Sequence, residues 1–339
     1  IRMVMQAADV LIEKTGALIL EQLDLKDISF DYFTNTVRLG AYLHDWGKAN
    51  QHFQDMVYLK TIDPKSPDSK KQNYRQKILK SSKDHSHRQM LRHEIISGIL
   101  ALQVPSFRKW LQKYPNSNLT IAVWAAMGHH LKAGVSKDGA PSSKIAEIPS
   151  GTGSELKIYT HHSDFQTILK MGHQLLGLSQ QLPQLPDQIW SINHLKQALT
   201  SLKKEFIQFE SQLDWQQQKF IAAVKATVIA ADLAGSALPF TEEDFQGWIQ
   251  EILSLQLSKQ DLQKLIKQRL KGNKLRPFQE LIAESKHRVT LVKAGCGTGK
   301  SIGAYAWGQK NSVGRKLFFC YPTTGTASQG YIDYADGTD

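Results

Sequence analysis

Apolar residues recur at helical spacing over most of the chain. The first such run places apolar side chains on one helix face, at Ile1, Val4, Met5, Ala8, Leu11 and Ile12. The same spacing predicts helices over residues 1–22, 33–58, 89–103, 118–132, 190–213, 214–238, 242–256 and 259–271. Thr241 and Asp244 have capping-box spacing, and Ser258 is a good N-cap for the last of these helices. The chain up to residue 271 therefore predicts a domain that is mainly α.

Two stretches lack this periodicity. Residues 60–88 are rich in Lys and Ser, and residues 133–155 carry Gly, Ser and Pro with few apolar anchors. Both compositions are typical of solvated loops or insertions. We therefore predict loops at both places.

The pattern changes after residue 271. A β-branched run at 289–293 precedes a glycine-rich turn, a helical segment at 301–309 and a second strand-like run at 316–321. Strand, glycine-rich loop, helix and strand form the opening of an α/β unit with a parallel sheet. We therefore predict two domains, a helical domain over 1–271 and an α/β segment over 272–339.

Composition narrows the class of protein. The chain has 339 residues, of which 41% are hydrophobic and 22% charged, as in ordinary globular proteins of about two domains. No apolar run approaches the roughly 20 residues that cross a bilayer, so we expect no membrane partner. Two cysteines exclude a disulfide scaffold and suit a reducing cytoplasm. The net charge of +11 favours a polyanionic partner, nucleic acid first.

Residues 294–301 carry the first chemical motif, Ala-Gly-Cys-Gly-Thr-Gly-Lys-Ser. Only Ala294 departs from the strict Walker A pattern. Small residues such as Gly297 and Gly299 let backbone amides converge on phosphate oxygens. Lys300 is placed to reach the β- and γ-phosphates, and Ser301 to bind Mg²⁺ at the start of the helix. The segment therefore predicts a site for ATP with Mg²⁺.

The same residues resemble motif I of superfamily 2 helicases. Leu275–Gln279 resembles the upstream motif in which a glutamine, here Gln279, reads adenine, and Tyr321–Ala327 resembles the motif that contacts the nucleic-acid backbone. Few residues follow Ser301, and no Asp-Glu box is present after it. The resemblance therefore implies the truncated beginning of a RecA-like helicase lobe, with ATPase and helicase activity expected only in a longer protein.

Histidines and aspartates in the helical part form the second motif. They occur in four segments: His44-Asp45 with Lys48 shortly after, His93 before Glu94, the pair His129-His130, and Asp232 within a long apolar helix. A buried carboxylate or imidazole without a partner is costly, and a metal ion supplies one. Such ligands at helix ends, with one aspartate between two ions, can form a two-metal site that acts on phosphoryl groups.

This ordered set resembles the HD phosphohydrolase superfamily. Placed ahead of a superfamily 2 helicase, it is similar to the nuclease-helicase family of type I CRISPR systems. The resemblance implies that one metal is held by His44, Asp45 and Asp232 and the other by His93, His129 and His130. In it, Asp45 bridges the two metals, and Lys48 stabilises the charge that develops on the phosphate. That family carries a further histidine in its first helix; none precedes His44 here, so we expect it upstream of Ile1.

The resemblance also implies a function. It implies two divalent ions (Mn, Fe, Ni or Co, or else Mg) and a phosphodiesterase that cuts single-stranded DNA as an endonuclease or exonuclease. An ATP-driven helicase would supply the strand, and an RNA-guided surveillance complex of the Cascade type would recruit the enzyme in antiviral defence in the cytoplasm.

Two alternatives stay open at the sequence level. One is an HD-type phosphohydrolase of small nucleotides, against which the helicase-like flanks of the P-loop count. The other is a docking module with a disabled metal site. Hydrolysis of single-stranded DNA compared with nucleotides separates the first alternative from a nuclease, and metal content separates the second.

Overall fold

A computed structural model describes residues 1–65, 67–83, 91–129, 148, 153–240, 243–256, 258–287, 289–312, 314–320 and 324–334. Within these residues the chain is mainly helical, as predicted. The helices are α1 Arg2–Gln22, α2 Phe30–Leu43, α3 Gln51–Thr61, α4 Ser69–Lys83, α5 His93–Gln103, α6 Pro105–Leu111, α7 Leu119–Met127, α8 Ser163–Leu176, α9 Ile192–Ser211, α10 Trp215–Ala237, α11 Phe245–Ser254, α12 Lys259–Leu270, α13 Pro277–Glu284, α14 Lys300–Asn311 and α15 Thr324–Tyr334. Two short strands, β1 Glu155–Lys157 and β2 Ile189–Ser191, complete the set.

The chain packs as two compact units. Unit 1 is Ile1–Gln250 and unit 2 is Glu251–Asp339. The predicted boundary at residue 271 stays a prediction, although the helix before it, α12, packs on α14 of unit 2.

Four helices form the core of unit 1. Helix α10 packs against α1, α2 and α7, and α2 also packs against α1 and α7. Asp214 begins α10 with a complete capping box, in which it exchanges side-chain hydrogen bonds with Gln217. The apolar faces meet at buried side chains such as Phe33, Phe220 and Val224. This core holds the ends of α2 and α7 close to the middle of α10.

Helix α10 is also the one described helix that is long and apolar enough, by length and composition, to cross a membrane. Its contacts with three neighbouring helices bury Phe220, Val228 and Ala231. Packing in a helical core accounts for that apolar character, because a helix surrounded by others is hydrophobic on more than one face.

A small sheet lies beside these helices. Strands β1 and β2 pair antiparallel, with Leu156 opposite Trp190, and both of these side chains are buried. The chain continues from β1 to an isolated bridge between Ile158 and Asn50, and the Tyr159 amide donates to the Ala49 carbonyl. The sheet therefore braces the turn that precedes α3.

Two predictions about local structure in unit 1 are wrong. The predicted helix over 33–58 is broken by a 3₁₀ turn at Trp46–Lys48, after which Asn50 caps α3 through its side chain. The predicted loop over 60–88 contains α4, whose first amides, those of Lys70 and Lys71, donate to Asp68. Lys, Gln and Arg are good helix formers, so a polar composition alone did not exclude a helix there.

The remaining predictions about local structure have three different outcomes. Helix α8 lies in a stretch for which the sequence predicted nothing. The Ser258 cap is confirmed, since its hydroxyl accepts from the amide of Asp261. The capping pair at 241 and 244 and most of the predicted loop at 133–155 lie outside the described residues.

Three of the described helices in unit 2 pack together. Helix α14 packs on α12 and α13, with Ile266, Ala283 and Ala306 at the centre of the contact. The helix predicted over 301–309 is therefore confirmed. Over 289–293 and 316–320, where strands were predicted, the described residues form none, and Val289, Leu291 and Phe318 are exposed. A parallel strand forms only beside a neighbour that completes its ladder, and these two runs are not paired with each other.

Candidate metal centre

A sharp turn after α2 presents the first two candidate ligands. Helix α2 ends at Leu43, His44 is its C-cap, and Asp45 follows directly. The turn is held against α5, because Gly47 donates its amide to Ser97 Oγ (2.8 Å) and that hydroxyl donates to the His44 carbonyl (3.0 Å). Two successive hydrogen bonds to one buried serine therefore fix where Asp45 points.

The remaining candidate ligands come from three other helices. His93 is the first residue of α5, His129 follows the C-cap of α7, and Asp232 lies in the last third of α10. Burial is nearly complete for His44 and at least nine-tenths for His93 and His129. Asp45 and Asp232 are both partly buried. Residues far apart in sequence thus meet because α2, α5, α7 and α10 pack together.

Asp45 lies at the centre of this group. Its Oδ2 is 3.2 Å from His44 Nε2, and its Oδ1 is 3.5 Å from His93 Nε2. Ligand atoms of Asp45, His93 and His129 all lie within 4.8 Å of one another. His44 Nε2 is also 3.3 Å from Asp232 Oδ1. The two oxygens of Asp45 therefore face different histidines.

The two histidines at helix ends are oriented in the same way. His44 Nδ1 donates to the Ala41 carbonyl (2.7 Å), and His129 Nδ1 donates to the carbonyl of Ala126. Each acceptor is a carbonyl of the last helical turn, where backbone acceptors have no partner within the helix. A carbonyl accepts only, so Nδ1 carries the proton and Nε2 of each ring faces the centre.

The charges in this group are strongly coupled. Burial lowers the pKa of His44, but hydrogen bonds and charge from Asp232 and Asp45 outweigh it and raise this pKa to about 9. For Asp45, burial raises the pKa, but His44, His93 and Lys48 together hold it far below its usual range. For Asp232, burial is again outweighed, mainly by His44, and the pKa falls to about 2. Both aspartates are therefore anions at neutral pH.

This geometry fits a transition-metal site. Because Nδ1 of His44 donates to the Ala41 carbonyl, Nε2 carries a lone pair when the ring is neutral. Nε2 nevertheless lies beside two carboxylate oxygens, which is favourable only if the ring takes up a second proton or if a cation lies between these atoms. Imidazole nitrogens and carboxylates are ligands that Mn, Fe, Co, Ni and Zn accept. A backbone acceptor on the other ring nitrogen is the usual support of a metal-binding histidine.

Comparison with known proteins identifies the family of this chain. The family model described as Cas3, HD domain, matches residues 4–240, which lie within unit 1. The chain belongs to the Cas3 HD domain family. It is 31% identical over 343 aligned residues to a protein of Myxococcus xanthus (strain DK1622) assigned as a CRISPR-associated nuclease/helicase Cas3. The match covers 99% of the chain and 41% of that relative. No solved structure matches the chain.

Within the Cas3 HD domain, the structure brings together most of the predicted site residues. His44, Asp45, His93, His129 and Asp232 converge as described above. Lys48 Nζ is 2.6 Å from Asp45 Oδ2, so its ammonium group lies at the edge of the same cluster. His130 lies outside the described residues.

The further histidine that the family resemblance implies upstream of Ile1 stays a prediction.

The predicted phosphate-binding residues lie together in unit 2. Gly297 and Gly299 both have positive φ (72° and 88°), as a tight phosphate loop requires, and Gly299 is the N-cap of α14. Buried Gln279 donates to the Gly299 carbonyl (2.9 Å). The Lys300 ammonium donates to the carbonyls of Ala294 and Gly295, and Ser301 follows in the first turn of α14. The loop therefore has the form of a P-loop.

Sequence reasoning gave no role to three residues beside the metal centre. Ser97 positions the turn, the Phe53 ring lies 5.2 Å from the His93 ring, and Glu94 contacts His93. The clearest sequence signal was at Glu94, which is the one charged residue in the mostly apolar run at 94–102.

Proposed function

We propose that unit 1 is a metal-dependent phosphodiesterase that cuts single-stranded DNA in type I CRISPR defence. The observation that carries this proposal is the convergence of three histidines and two aspartates, from four helices, in a domain of the Cas3 HD family. The relative assigned as a CRISPR-associated nuclease/helicase supports the choice of a nuclease over other phosphohydrolases.

Two divalent metals would be bound around Asp45. His44 and Asp232 would hold one, and His93 and His129 with His130 the other. Asp45, whose two oxygens face His44 and His93, would contribute to both. Bound there, the metals would supply Lewis acidity for attack on a phosphodiester. Mn, Fe, Ni and Co are the ions we propose first, because the donor set is rich in imidazole, with Mg as a further candidate.

Lys48 has a separate role in this proposal. Its ammonium group lies beside Asp45 and its side chain is about one-third exposed, so it can approach a bound phosphate from the solvent side. A fixed positive charge at that place stabilises the negative charge that develops on the phosphate in the transition state.

Unit 2 belongs to the proposal through its P-loop. We propose that, in a longer protein, Gln279, Lys300 and Ser301 bind ATP with Mg²⁺ and drive a helicase that feeds single-stranded DNA to unit 1. The buried contact of Gln279 with the loop and the nuclease/helicase assignment of the relative support this coupling. Recruitment by a Cascade-type complex and a cytoplasmic location are parts of the proposal that rest on the family resemblance.

The proposal is tested with metal and substrate together. We expect the full chain to bind Mn²⁺ or Ni²⁺ and, with it, to cut single-stranded DNA faster than it hydrolyses nucleoside triphosphates or cyclic nucleotides. Asp45→Ala should abolish DNA cleavage and leave the helical content unchanged by circular dichroism. Cleavage at the parental rate by this variant would refute the assignment of the site. Faster hydrolysis of nucleotides than of DNA would favour the nucleotide phosphohydrolase instead.

A further inference from the structure

His93 differs from the other two histidines in its place on its helix. His44 and His129 follow the C-terminal ends of α2 and α7, where unpaired carbonyls are available to accept from Nδ1. His93 is instead the first residue of α5. A helix N-terminus presents N–H groups, so the helix itself offers this ring no acceptor.

A carboxylate lies beside Nδ1 of His93, where His44 and His129 each have a backbone carbonyl. Glu94 Oε2 lies 3.3 Å from His93 Nδ1, on the side of the ring away from Asp45, which faces Nε2. Glu94 is fully buried. Its other oxygen, Oε1, lies 2.5 Å from Arg92 Nε. One carboxylate thus joins a candidate ligand to a half-exposed arginine.

The burial of Glu94 needs an explanation. Removing a carboxylate from water is expensive unless charged or hydrogen-bonding partners compensate it. Arg92 and the positive end of α5, where Glu94 lies in the first turn, provide that compensation. The position could otherwise hold an apolar residue like the Ile side chains that follow it.

We propose that Glu94 is a positioning residue for the metal centre. Its carboxylate, 3.3 Å from Nδ1 of His93, favours the ring orientation with Nε2 toward Asp45, and the Arg92 guanidinium offsets the cost of burying that carboxylate. A carboxylate acceptor also makes the imidazole a stronger donor to a metal, and loss of such a partner typically lowers metal affinity about 10- to 100-fold. This inference rests on the proposed function, since it requires the metal centre.

The test measures Mn²⁺ binding by the full chain with isothermal titration calorimetry, and thermal unfolding of the metal-free protein. We expect Glu94→Gln, which keeps the shape and removes the charge, to weaken Mn²⁺ binding about 10- to 100-fold. Glu205→Gln is the matched control, because Glu205 is paired with Arg108 in the same unit and has no contact with the histidines in the described structure. The control should bind Mn²⁺ like the parent.

A second variant separates positioning from general stability. Arg92→Gln leaves the Glu94 carboxylate beside His93, so it should lower the melting temperature of the metal-free protein while Mn²⁺ binding stays within about threefold of the parent. Equal loss of Mn²⁺ affinity in Arg92→Gln and Glu94→Gln would overturn the positioning role, since it would indicate only a shared structural ion pair.

The outcomes separate the two proposals. Parental Mn²⁺ affinity in Glu94→Gln overturns the role of Glu94 and leaves the metal centre intact. A parent protein that binds no Mn²⁺, Ni²⁺ or Co²⁺ overturns both. If Glu94→Gln does not fold, the Arg92→Gln result decides, and loss of Mn²⁺ binding in that variant overturns the positioning role.

Discussion

Among the glycines of the described residues, Gly47 is the one where an added methyl group meets the closest backbone neighbour. A Cβ built on Gly47 would overlap the carbonyl oxygen of His93 and lie 2.7 Å from the backbone nitrogen of Ser97. Both neighbours are backbone atoms of α5 and cannot rotate away. The φ of Gly47 is not positive, so the requirement for glycine here is one of space and not of backbone conformation.

The magnitude of the effect follows from this overlap. Inserting a group into a packed core costs about 1–3 kcal/mol, and the upper end, about 3 kcal/mol, applies where only backbone movement relieves the contact. At about 2–4 °C per kcal/mol for a domain of this size, Gly47→Ala should lower the melting temperature by about 6–12 °C. Moving α5 away should also separate His93 from Asp45, now 3.5 Å apart, and weaken Mn²⁺ binding.

Circular dichroism during thermal unfolding of the metal-free protein, followed by titration with Mn²⁺, measures both effects. Gly16→Ala is the matched control in the same unit, because its Cβ would meet side chains, chiefly the rings of Phe30 and Phe33, rather than backbone. Replacing a mid-helix glycine by alanine changes the free energy of unfolding by about 1 kcal/mol, so the control should change the melting temperature by no more than about 4 °C. A Gly47→Ala protein that melts within about 2 °C of the parent and binds Mn²⁺ equally well would refute the reasoning.

Two further predictions concern the lysines. Lys48→Met keeps the aliphatic stem and removes the ammonium group that lies 2.6 Å from Asp45. DNA cleavage should slow about 10²- to 10³-fold, while Mn²⁺ affinity stays unchanged or rises. Loss of Mn²⁺ binding would contradict a role of Lys48 on the phosphate alone. Lys300→Ala should remove ATP hydrolysis from the longer protein and leave its cleavage of DNA that is already single-stranded unchanged; loss of both activities would point to a single shared site.

Local patterns in the sequence determined much of the helical architecture. The periodicity predicted α1, α9, α10, α11 and α12 close to their observed bounds, because apolar positions recur at helical spacing along each of them. The histidine and aspartate motifs resemble those of the HD family, and the match to the Cas3 HD domain confirms that resemblance. Periodicity failed at the turn after α2, where the helix ends because Gly47 must approach α5 closely, and that contact is invisible in local sequence.

Tertiary structure decided how the candidate ligands are supported. Sequence identified His44, Asp45, His93, His129 and Asp232 as polar residues in apolar surroundings, but not which atoms face one another. The direction of each imidazole depends on whether its residue begins or ends a helix: carbonyls orient His44 and His129, whereas His93, at a helix start, lies against Glu94. Sequence therefore determined the chemistry available to the site, and the packing of α2, α5, α7 and α10 determined its geometry, because these contacts join residues far apart along the chain.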